Sequence, residues 1–465
     1  MSKAPHELSL AEASAAIARR RLSPVELLDA LRARFDALEP VLTTTIRPLW
    51  DEARQDAAKA TRRIARSGPR SALDGLPIGL KDIIDLAGHP TTCHSRLLLD
   101  NMKQADAAVV ARLRAAGAVF PAKLATHEFA TGGPALDQAF PPARNPWNPA
   151  HHPGGSSSGS GAIVAAGMLP AALGTDTGGS VRNPASQCGI VGLKPTYGLV
   201  SRRGVFPLAY SLDHVGPMTR DVASNALLLG AMAGHDPEDP GSALRRAENY
   251  RRHLRKGLKG LRIGYVRHFH ETDEVATEEV AAALDAAARL MAKEGAKVRA
   301  VTLPRLGDFA SVNRTISLAE AAAIHGRWLR ESPEGYAPLT RKRLLPGLFI
   351  RAEDYVQAQR RRRELTAAVE ATFAEFDLLL TASSMDPPCR IDDAEEVERT
   401  YARQARMPFN VTGHPALTLI CGLTKADALP LSLQLVGRCF DEATLFRGAA
   451  GYERAAPWKD LRPPL

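Results

Sequence analysis

Apolar residues recur every three or four positions in the first part of the chain, which is the spacing of an amphipathic helix. The clearest case predicts a helix over 24–38. Its apolar face consists of Val25, Leu28, Leu31 and Phe35. Ser23 and Glu26 form a capping-box pattern at its start. A further helix is predicted over 49–66.

Short apolar runs bounded by glycine or proline follow, and they predict buried strands. These runs are 76–80, 261–266, 298–301, 376–380 and 431–435. Helical patterns lie between them, and 261–301 reads as one βαβ unit. The alternation predicts an α/β fold. Because residues 310–375 are mostly helical in pattern, we expect one large domain over 1–465 that carries a helical insertion.

Composition is typical of a soluble globular protein. The chain has 465 residues, 45% of them hydrophobic, and contains no run of eighteen apolar residues that would predict a membrane span. Its five cysteines are scattered without a C-x-x-C pair, so neither a zinc site nor a disulfide framework is expected. With no apolar leader at the N-terminus, a reducing cytoplasm is the expected compartment.

The net charge of +9 does not by itself indicate a nucleic-acid partner. The basic clusters lie in helix-like contexts and read as solvated helix faces. Aromatic residues are only 5% of the chain, which is too few for a base-stacking surface. We therefore expect no nucleic acid and no membrane as partner, and leave a homodimer open.

Two glycine-serine loops carry the candidate chemistry. The second loop, 175–182, reads Thr-Asp-Thr-Gly-Gly-Ser-Val-Arg, and Ser180 follows its two glycines. Without side-chain obstruction, backbone amides there can converge on one point. The expected oxyanion hole consists of the amides of Thr177, Gly178, Gly179 and Ser180. A plain turn with a capping serine is the alternative.

The first loop and an upstream lysine would activate such a serine. Ser156 lies 24 residues before Ser180 in a Gly-Gly-Ser-Ser-Ser-Gly segment, and a hydroxyl can both accept and donate a proton. Lys81 ends the apolar run 76–80. Burial would lower its pKa and make it a base. The alternatives are a flexible serine linker and a surface lysine paired with Asp82 or Asp85.

The same loop contains a competing motif. Residues 155–159 satisfy the G-x-S-x-G pattern, which would make Ser157 the nucleophile of an elbow turn. That elbow must follow a strand, whereas Asn-Pro-Ala-His-His-Pro precedes this loop at 148–153. No Gly-Lys-Ser/Thr follows the glycines, so the loop is not a phosphate-binding loop either.

Taken together, Lys81, Ser156 and Ser180 and the sequences around them resemble the amidase signature family. The resemblance extends over nearly the whole chain, with a signature core at about 73–220 and a more variable, partly helical region at about 225–375. Other matching segments are Lys123, 128–130, 189–196, 213–218 and 409–416. The resemblance implies an α/β/α fold around a mixed sheet of about eleven strands.

The resemblance also implies a Ser–Ser–Lys triad in which Ser180 is the nucleophile, Ser156 the relay at a cis non-proline peptide bond, and Lys81 the base. The expected function is an amidohydrolase that acts on a small-molecule amide without metal or organic cofactor. The alternative is the glutaminase A subunit of a tRNA-dependent amidotransferase. We expect loops at about 125–145, 310–355 and 381–400 to form the walls of the substrate pocket. In the last of these loops, the sequence Thr-Ala-Ser-Ser at 381–384 departs from the sequence that is usual in the family.

Overall fold

The computed structural model describes residues 3–458 and 460–465. Within them, eleven strands form one sheet. The strands are β1 (Thr45–Pro48), β2 (Gly79–Lys81), β3 (Ala122–Leu124), β4 (Ala171–Asp176), β5 (Val191–Lys194), β6 (His214–Thr219), β7 (Arg262–Tyr265), β8 (Lys297–Ala300), β9 (Leu378–Ala382), β10 (Ala416–Leu423) and β11 (Pro430–Gly437).

The sheet is mixed, and its strand order is β1-β3-β2-β4-β6-β5-β10-β11-β9-β7-β8. Strands β3, β2 and β4 run parallel to one another, as do β9, β7 and β8. The strands between these two groups pair antiparallel. An α/β fold with a mixed sheet of eleven strands is therefore confirmed.

Fourteen α-helices accompany the sheet in the described part of the chain. They are α1 (Leu10–Ala18), α2 (Pro24–Leu42), α3 (Trp50–Ser67), α4 (Ala108–Ala115), α5 (Ser158–Ala165), α6 (Arg182–Cys188), α7 (Val222–Met232), α8 (Glu278–Lys293), α9 (Leu306–Glu331), α10 (Pro338–Leu344), α11 (Ala352–Thr372), α12 (Ala394–Ala402), α13 (Met407–Val411) and α14 (Glu442–Ala455). Helices α5 and α6 pack on each other and on the sheet, whereas α9, α10, α11 and α13 form a separate helical layer.

The local signals in the sequence correspond closely to these elements. Helix α2 begins with the expected capping box, in which Glu26 N–H donates to Ser23 Oγ at 3.1 Å and Ser23 N–H donates to Glu26 Oε2 at 2.8 Å. The βαβ prediction is confirmed, because β7 and β8 are parallel and α8 connects them. The apolar run 76–80 is buried, but the paired strand is shorter and shifted, at Gly79–Lys81.

A helix that spans a membrane must be both long and apolar. None of the helices at 3–458 or 460–465 combines the length and the apolar character that crossing a bilayer requires.

Two helical glycines differ in the space around them, which gives a matched stability test. A Cβ at Gly159 in α5 would overlap the carbonyl oxygen of Thr44 and lie 2.6 Å from the amide nitrogen of Ala125, whereas a Cβ at Gly230 in α7 would meet no atom within 4 Å. Gly159→Ala should therefore lower the free energy of unfolding by about 3 kcal/mol. Gly230→Ala should raise it by up to about 1 kcal/mol, because alanine is the better helix former.

Urea unfolding followed by far-UV circular dichroism measures both changes. Equal midpoints for the two variants would show that the close approach of α5 to Thr44 and Ala125 is not a constraint on the fold.

Candidate active site

Three segments meet at one edge of the sheet. Because β2 and β4 are parallel neighbours, their carboxyl ends lie at the same edge, and these ends carry Lys81 and Asp176. The two glycine-serine loops come to this edge as the leads into α5 and α6. The structure thus brings Lys81, Ser156 and Ser180 into one region, although the first and the last of them are 99 residues apart in the sequence.

Lys81 is fully buried and contacts two hydroxyl groups. Its Nζ lies 2.8 Å from Ser156 Oγ and 2.8 Å from Thr175 Oγ1. Burial lowers the pKa of Lys81 to about 7, although the charges of Asp176 and Asp213 act in the opposite direction. A large share of the molecules therefore carries a neutral amine at this position at neutral pH.

The neighbouring carboxylates are engaged elsewhere, which excludes the surface-pair alternative for Lys81. Asp82 forms a buried ion pair with Lys123 at 2.8 Å, and Asp85 lies 3.6 Å from Lys103. Neither carboxylate lies within ion-pair distance of Lys81 in the described chain. The lysine is therefore buried without a direct counter-charge, the condition that favours its neutral form.

Ser156 lies at the cis peptide bond that the resemblance implies, between Gly155 and Ser156. The backbone around it is held on both sides: His127 N–H donates to the Ser156 carbonyl at 3.0 Å, and Gly155 N–H donates to Asn183 Oδ1 at 2.8 Å. A Cβ at Gly155 would overlap the His127 imidazole, so this position requires glycine. The loop is a packed structure and not a flexible linker.

Ser180 is 6% exposed and lies next to the first loop. Ser157 N–H donates to the Ser180 carbonyl at 3.2 Å, which ties the two loops together. No hydrogen bond joins Ser180 Oγ to Ser156 Oγ in the part of the chain that the structure describes. Hydrogen bonds between catalytic groups are commonly long in structures without a substrate, so the hydroxyls remain candidates for proton transfer.

The competing nucleophile, Ser157, has a structural role. Its Oγ donates to the Thr175 carbonyl at 3.3 Å and accepts from the Thr175 amide at 3.2 Å, and the residue has no exposed surface. A hydroxyl that is buried and committed to the backbone is poorly placed to attack a substrate. The elbow interpretation is thereby weakened on geometry as well as on sequence.

Asp176 organises the loop that carries Ser180. Its carboxylate accepts the amides of Gly179 at 2.8 Å and Val181 at 3.1 Å, together with the side chains of Arg182 at 2.8 Å and Asn410 at 2.9 Å. Burial alone would raise the pKa of Asp176, but the charge and hydrogen bonds of Arg182 outweigh it and hold the pKa well below its usual range. The loop is thus wrapped around a permanent buried anion.

The expected oxyanion hole needs one correction. The Gly179 N–H points to Asp176 Oδ1, so this amide is already used in the structure. The amides of Thr177, Gly178 and Ser180 have no acceptor among the residues that the structure describes. These three therefore remain the predicted donors, and the conformation that aims them includes a φ of 129° at Gly179.

A cavity of about 310 Å³ adjoins Thr175 and Thr177. Its apolar walls are Ile83, Ala130, Val205, Phe206, Leu208 and Tyr210. Ala130 alone in the lining belongs to the loops expected to wall a pocket. Most of the lining lies at 202–215 and 238–240, and Ile83, Thr175 and Thr177 complete it. The turn after β5 contributes much of this wall because it folds over the end of β2. The lining includes none of Lys81, Ser156 and Ser180, so the expectation that 310–355 and 381–400 wall the substrate pocket stays a prediction.

Charged groups at this cavity are largely compensated. Arg202 pairs with Asp239 at 2.9 Å, and Arg203 pairs with Asp236 at 3.0 Å. Asp213 accepts a hydrogen bond from Thr177 Oγ1 at 2.6 Å, and burial raises the pKa of Asp213 to about 6. The cavity therefore presents an apolar interior next to the two threonines that flank Asp176.

Sequence reasoning missed two residues of the site. Thr175 and Asp176 lie in the second glycine-serine loop, but nothing in a single sequence distinguishes them from ordinary turn residues. One group with metal-ligand chemistry also occurs among the described residues. It comprises Glu370, His414 and Cys439, and His414 Nε2 already lies 2.6 Å from Glu370 Oε2. None of the triad residues belongs to this group.

Comparison with known proteins identifies the family of the chain. A family model described as Amidase matches residues 26–446. The chain is 38% identical over 485 aligned positions to the A component of the glutamyl-tRNA(Gln) amidotransferase of Roseiflexus sp. (strain RS-1), and 99% of each protein is covered.

Solved structures are similar over the same length. One of them is 32% identical, with a TM-score of 0.90, and the match covers 96% of this chain and 97% of the other. It comes from a vestigial protein complex that reveals the evolutionary origins of an s-triazine catabolic enzyme. Native peptide amidase from Stenotrophomonas maltophilia is 30% identical, with a TM-score of 0.86 and 99% and 98% covered. The chain therefore belongs to the amidase signature family.

Proposed function

We propose that this protein is an amidohydrolase that cleaves a carboxamide C–N bond through an acyl-enzyme on Ser180. The observation that carries the proposal is the buried Lys81 Nζ, which lies 2.8 Å from Ser156 Oγ and has a pKa lowered to about 7. A neutral amine has one lone pair and can accept a proton from the hydroxyl. Thr175 accepts one amine N–H, which leaves the lone pair free to face Ser156.

In the first half of the reaction, Lys81 takes the Ser156 proton while Ser156 takes the Ser180 proton. Ser180 Oγ bonds to the amide carbon, and the carbonyl π electrons move onto oxygen. The amides of Thr177, Gly178 and Ser180 stabilise that oxyanion. When the carbonyl re-forms, the C–N bond breaks, and the proton returns through Ser156 to the departing nitrogen.

In the second half, water replaces the amine. The same relay removes a proton from water, the hydroxide bonds to the acyl carbon, and the ester bond to Ser180 Oγ breaks. The proton then returns to Ser180, and the carboxylic acid leaves. Water is the only co-reactant, and no step requires an oxidant or a reductant.

The cavity beside Thr177 indicates a substrate class. Its walls are mostly apolar and its rim charges are paired with each other. Such a cavity favours an amide with an uncharged apolar group next to the scissile bond. Anilides and primary amides of apolar acids are therefore the first substrates to examine.

The second candidate function is that of the amidotransferase A component, which would hydrolyse glutamine and pass ammonia to a partner. The 38% identity to this component of a glutamyl-tRNA(Gln) amidotransferase favours it. We prefer a free-standing amidase because the mostly apolar cavity with paired rim charges suits an uncharged apolar amide better than it suits glutamine. The two functions use the same chemistry and differ in substrate and partner.

Ser180 is the first point of test. Ser180→Ala should lower amide hydrolysis by on the order of 10³-fold or more, because the nucleophile is lost while the fold is retained. Intact-mass spectrometry after treatment with a fluorophosphonate should show one adduct on the wild-type protein and none on this variant. Ser157→Ala is the matched control and should still form the adduct. An adduct located on Ser157 would restore the elbow interpretation.

Lys81 determines the expected pH dependence. Protonated lysine cannot accept the Ser156 proton, so kcat/KM should rise with pH through an acid limb near pH 7 and reach a plateau above it. Lys81→Arg should lower kcat by on the order of 10³-fold, because arginine stays protonated.

The control for this test is a second buried lysine. Burial also lowers the pKa of Lys194 to about 7, but its Nζ contacts His214 Nε2 and the Pro195 carbonyl and not the triad. Lys194→Met should keep the acid limb where it is in the wild-type protein. Loss of the limb in this variant, or near-normal turnover in Lys81→Arg, would contradict the assignment of the base.

Independence from a partner separates the two candidate functions. The isolated chain should release ammonia or amine from members of a panel of primary amides, anilides, ureides and glutamine. Release is measured with and without charged tRNA and a candidate partner protein. Activity that appears only when both are added would favour the amidotransferase function and leave the triad assignment intact.

A further inference from the structure

We propose that Asn313 and Gln404, which lie outside the glycine-serine loops, are positioning residues that aim the oxyanion hole. The inference rests on the proposed function, because it assigns a role within the same reaction. Neither residue belongs to the segments that carry the family resemblance. Both donate side-chain hydrogen bonds to carbonyl groups of the loop that carries Ser180.

In a trans peptide the carbonyl of one residue and the N–H of the next point in opposite directions. A donor that holds a carbonyl on the outer side of a loop therefore directs the following N–H to the inner side. In this loop the Thr177 carbonyl and the Gly178 N–H belong to one peptide unit, and the Gly178 carbonyl and the Gly179 N–H belong to the next.

Asn313 controls the first of these units. It lies in α9, is 6% exposed, and its Nδ2 donates to the Thr177 carbonyl at 3.1 Å. Its Oδ1 lies 3.5 Å from where a Gly178 Cβ would be, so the side chain is packed against this peptide. The Gly178 N–H is thereby turned away from α9, and it has no acceptor in the described chain. This is one of the three amides left for a substrate oxygen.

Gln404 controls the second unit. Its Nε2 donates to the Gly178 carbonyl at 3.1 Å, and its Oε1 accepts the Arg406 amide at 3.0 Å, so both ends of the side chain are fixed. The opposite end of the unit, the Gly179 N–H, is held by Asp176. The peptide is held at both ends, which explains why Gly179 does not offer its amide and fixes the backbone between the Gly178 and Ser180 amides, which have no acceptor among the described residues.

The remaining carbonyls of the loop have donors as well. Asn410 Nδ2 donates to the Asp176 carbonyl at 3.0 Å, and Asn183 N–H donates to the Gly179 carbonyl at 2.6 Å. With Asn313 and Gln404, each carbonyl from 176 to 179 thus has an outside donor. Because each of these carbonyls already has a donor, the peptide units of the loop are held in one orientation, and the amides without an acceptor are held with them.

A fluorophosphonate probe tests this role without knowledge of the natural amide. Ser180 Oγ bonds to phosphorus, fluoride leaves with the P–F electrons, and the serine proton goes to Lys81 through Ser156. The phosphoryl oxygen occupies the position of the amide oxygen and needs the same donors. Asn313→Ala should slow the second-order rate of adduct formation by roughly 10-fold or more.

Asn101 provides the matched control, because its Nδ2 donates to the Thr91 carbonyl at 2.8 Å in a different loop. Asn101→Ala should react within about 2-fold of the wild-type rate, the size of change expected away from the site. The pH at the midpoint of the acid limb of adduct formation should be unchanged in Asn313→Ala, since Lys81 keeps its surroundings. Thermal unfolding checks that each variant is folded.

The outcomes separate the alternatives. A wild-type rate in folded Asn313→Ala overturns the inference, and so does a slower rate accompanied by a shifted acid limb, which would indicate general damage to the triad. If Asn313→Ala does not fold, Gln404→Glu decides, since it keeps an acceptor for the Arg406 amide and loses the donor to Gly178. A reaction that persists in Ser180→Ala would instead overturn the proposed function.

Discussion

The burial of Lys81 without a direct counter-charge is the constraint on which the site depends. An ammonium group in an apolar interior loses its hydration, so the neutral amine becomes competitive near neutral pH. This outcome requires that the adjacent carboxylate be kept away, and the buried pair of Asp82 with Lys123 achieves this. Lys123 therefore supports the proposed role of Lys81 as a base, although Lys123 contacts none of the proposed reacting groups.

Asp176 imposes the complementary constraint on the second loop. A buried carboxylate must be satisfied by donors, and here the side chains of Arg182 and Asn410 and three backbone amides of the loop supply them. The backbone that reaches this anion has to curl around it, and the curl places Ser180 beside the first loop. At the ends of two neighbouring parallel strands, the site thus combines Lys81, which has no direct counter-charge in the described chain, with Asp176, whose carboxylate is fully hydrogen-bonded.

Sequence periodicity predicted the long elements because they obey local rules. Helix α2 shows both its apolar face and its cap in the sequence, and the segment 261–301 shows its βαβ order. It missed β1, a four-residue strand that ends in proline at the edge of the sheet and has little apolar pattern. The triad could be proposed from residue types and resemblance. The partners that set its electrostatics could not, because Asp176 and Asn410 are 234 residues apart and meet only through the order of strands in the sheet.

The placement of Asn313 and Gln404 has a consequence for how substrate choice and catalysis are connected. Asn313 lies in α9 of the helical layer, and Gln404 lies between α12 and α13, whereas Ser180 belongs to the sheet edge. A change of helix packing that alters access to the site would therefore also move the donors that hold the Thr177 and Gly178 carbonyls. Misalignment of a catalytic group by about 1 Å is enough to cost orders of magnitude in rate. Rearrangements of α9 and of the segment between α12 and α13 are consequently limited to those that keep the side-chain amides of Asn313 and Gln404 in place on the loop.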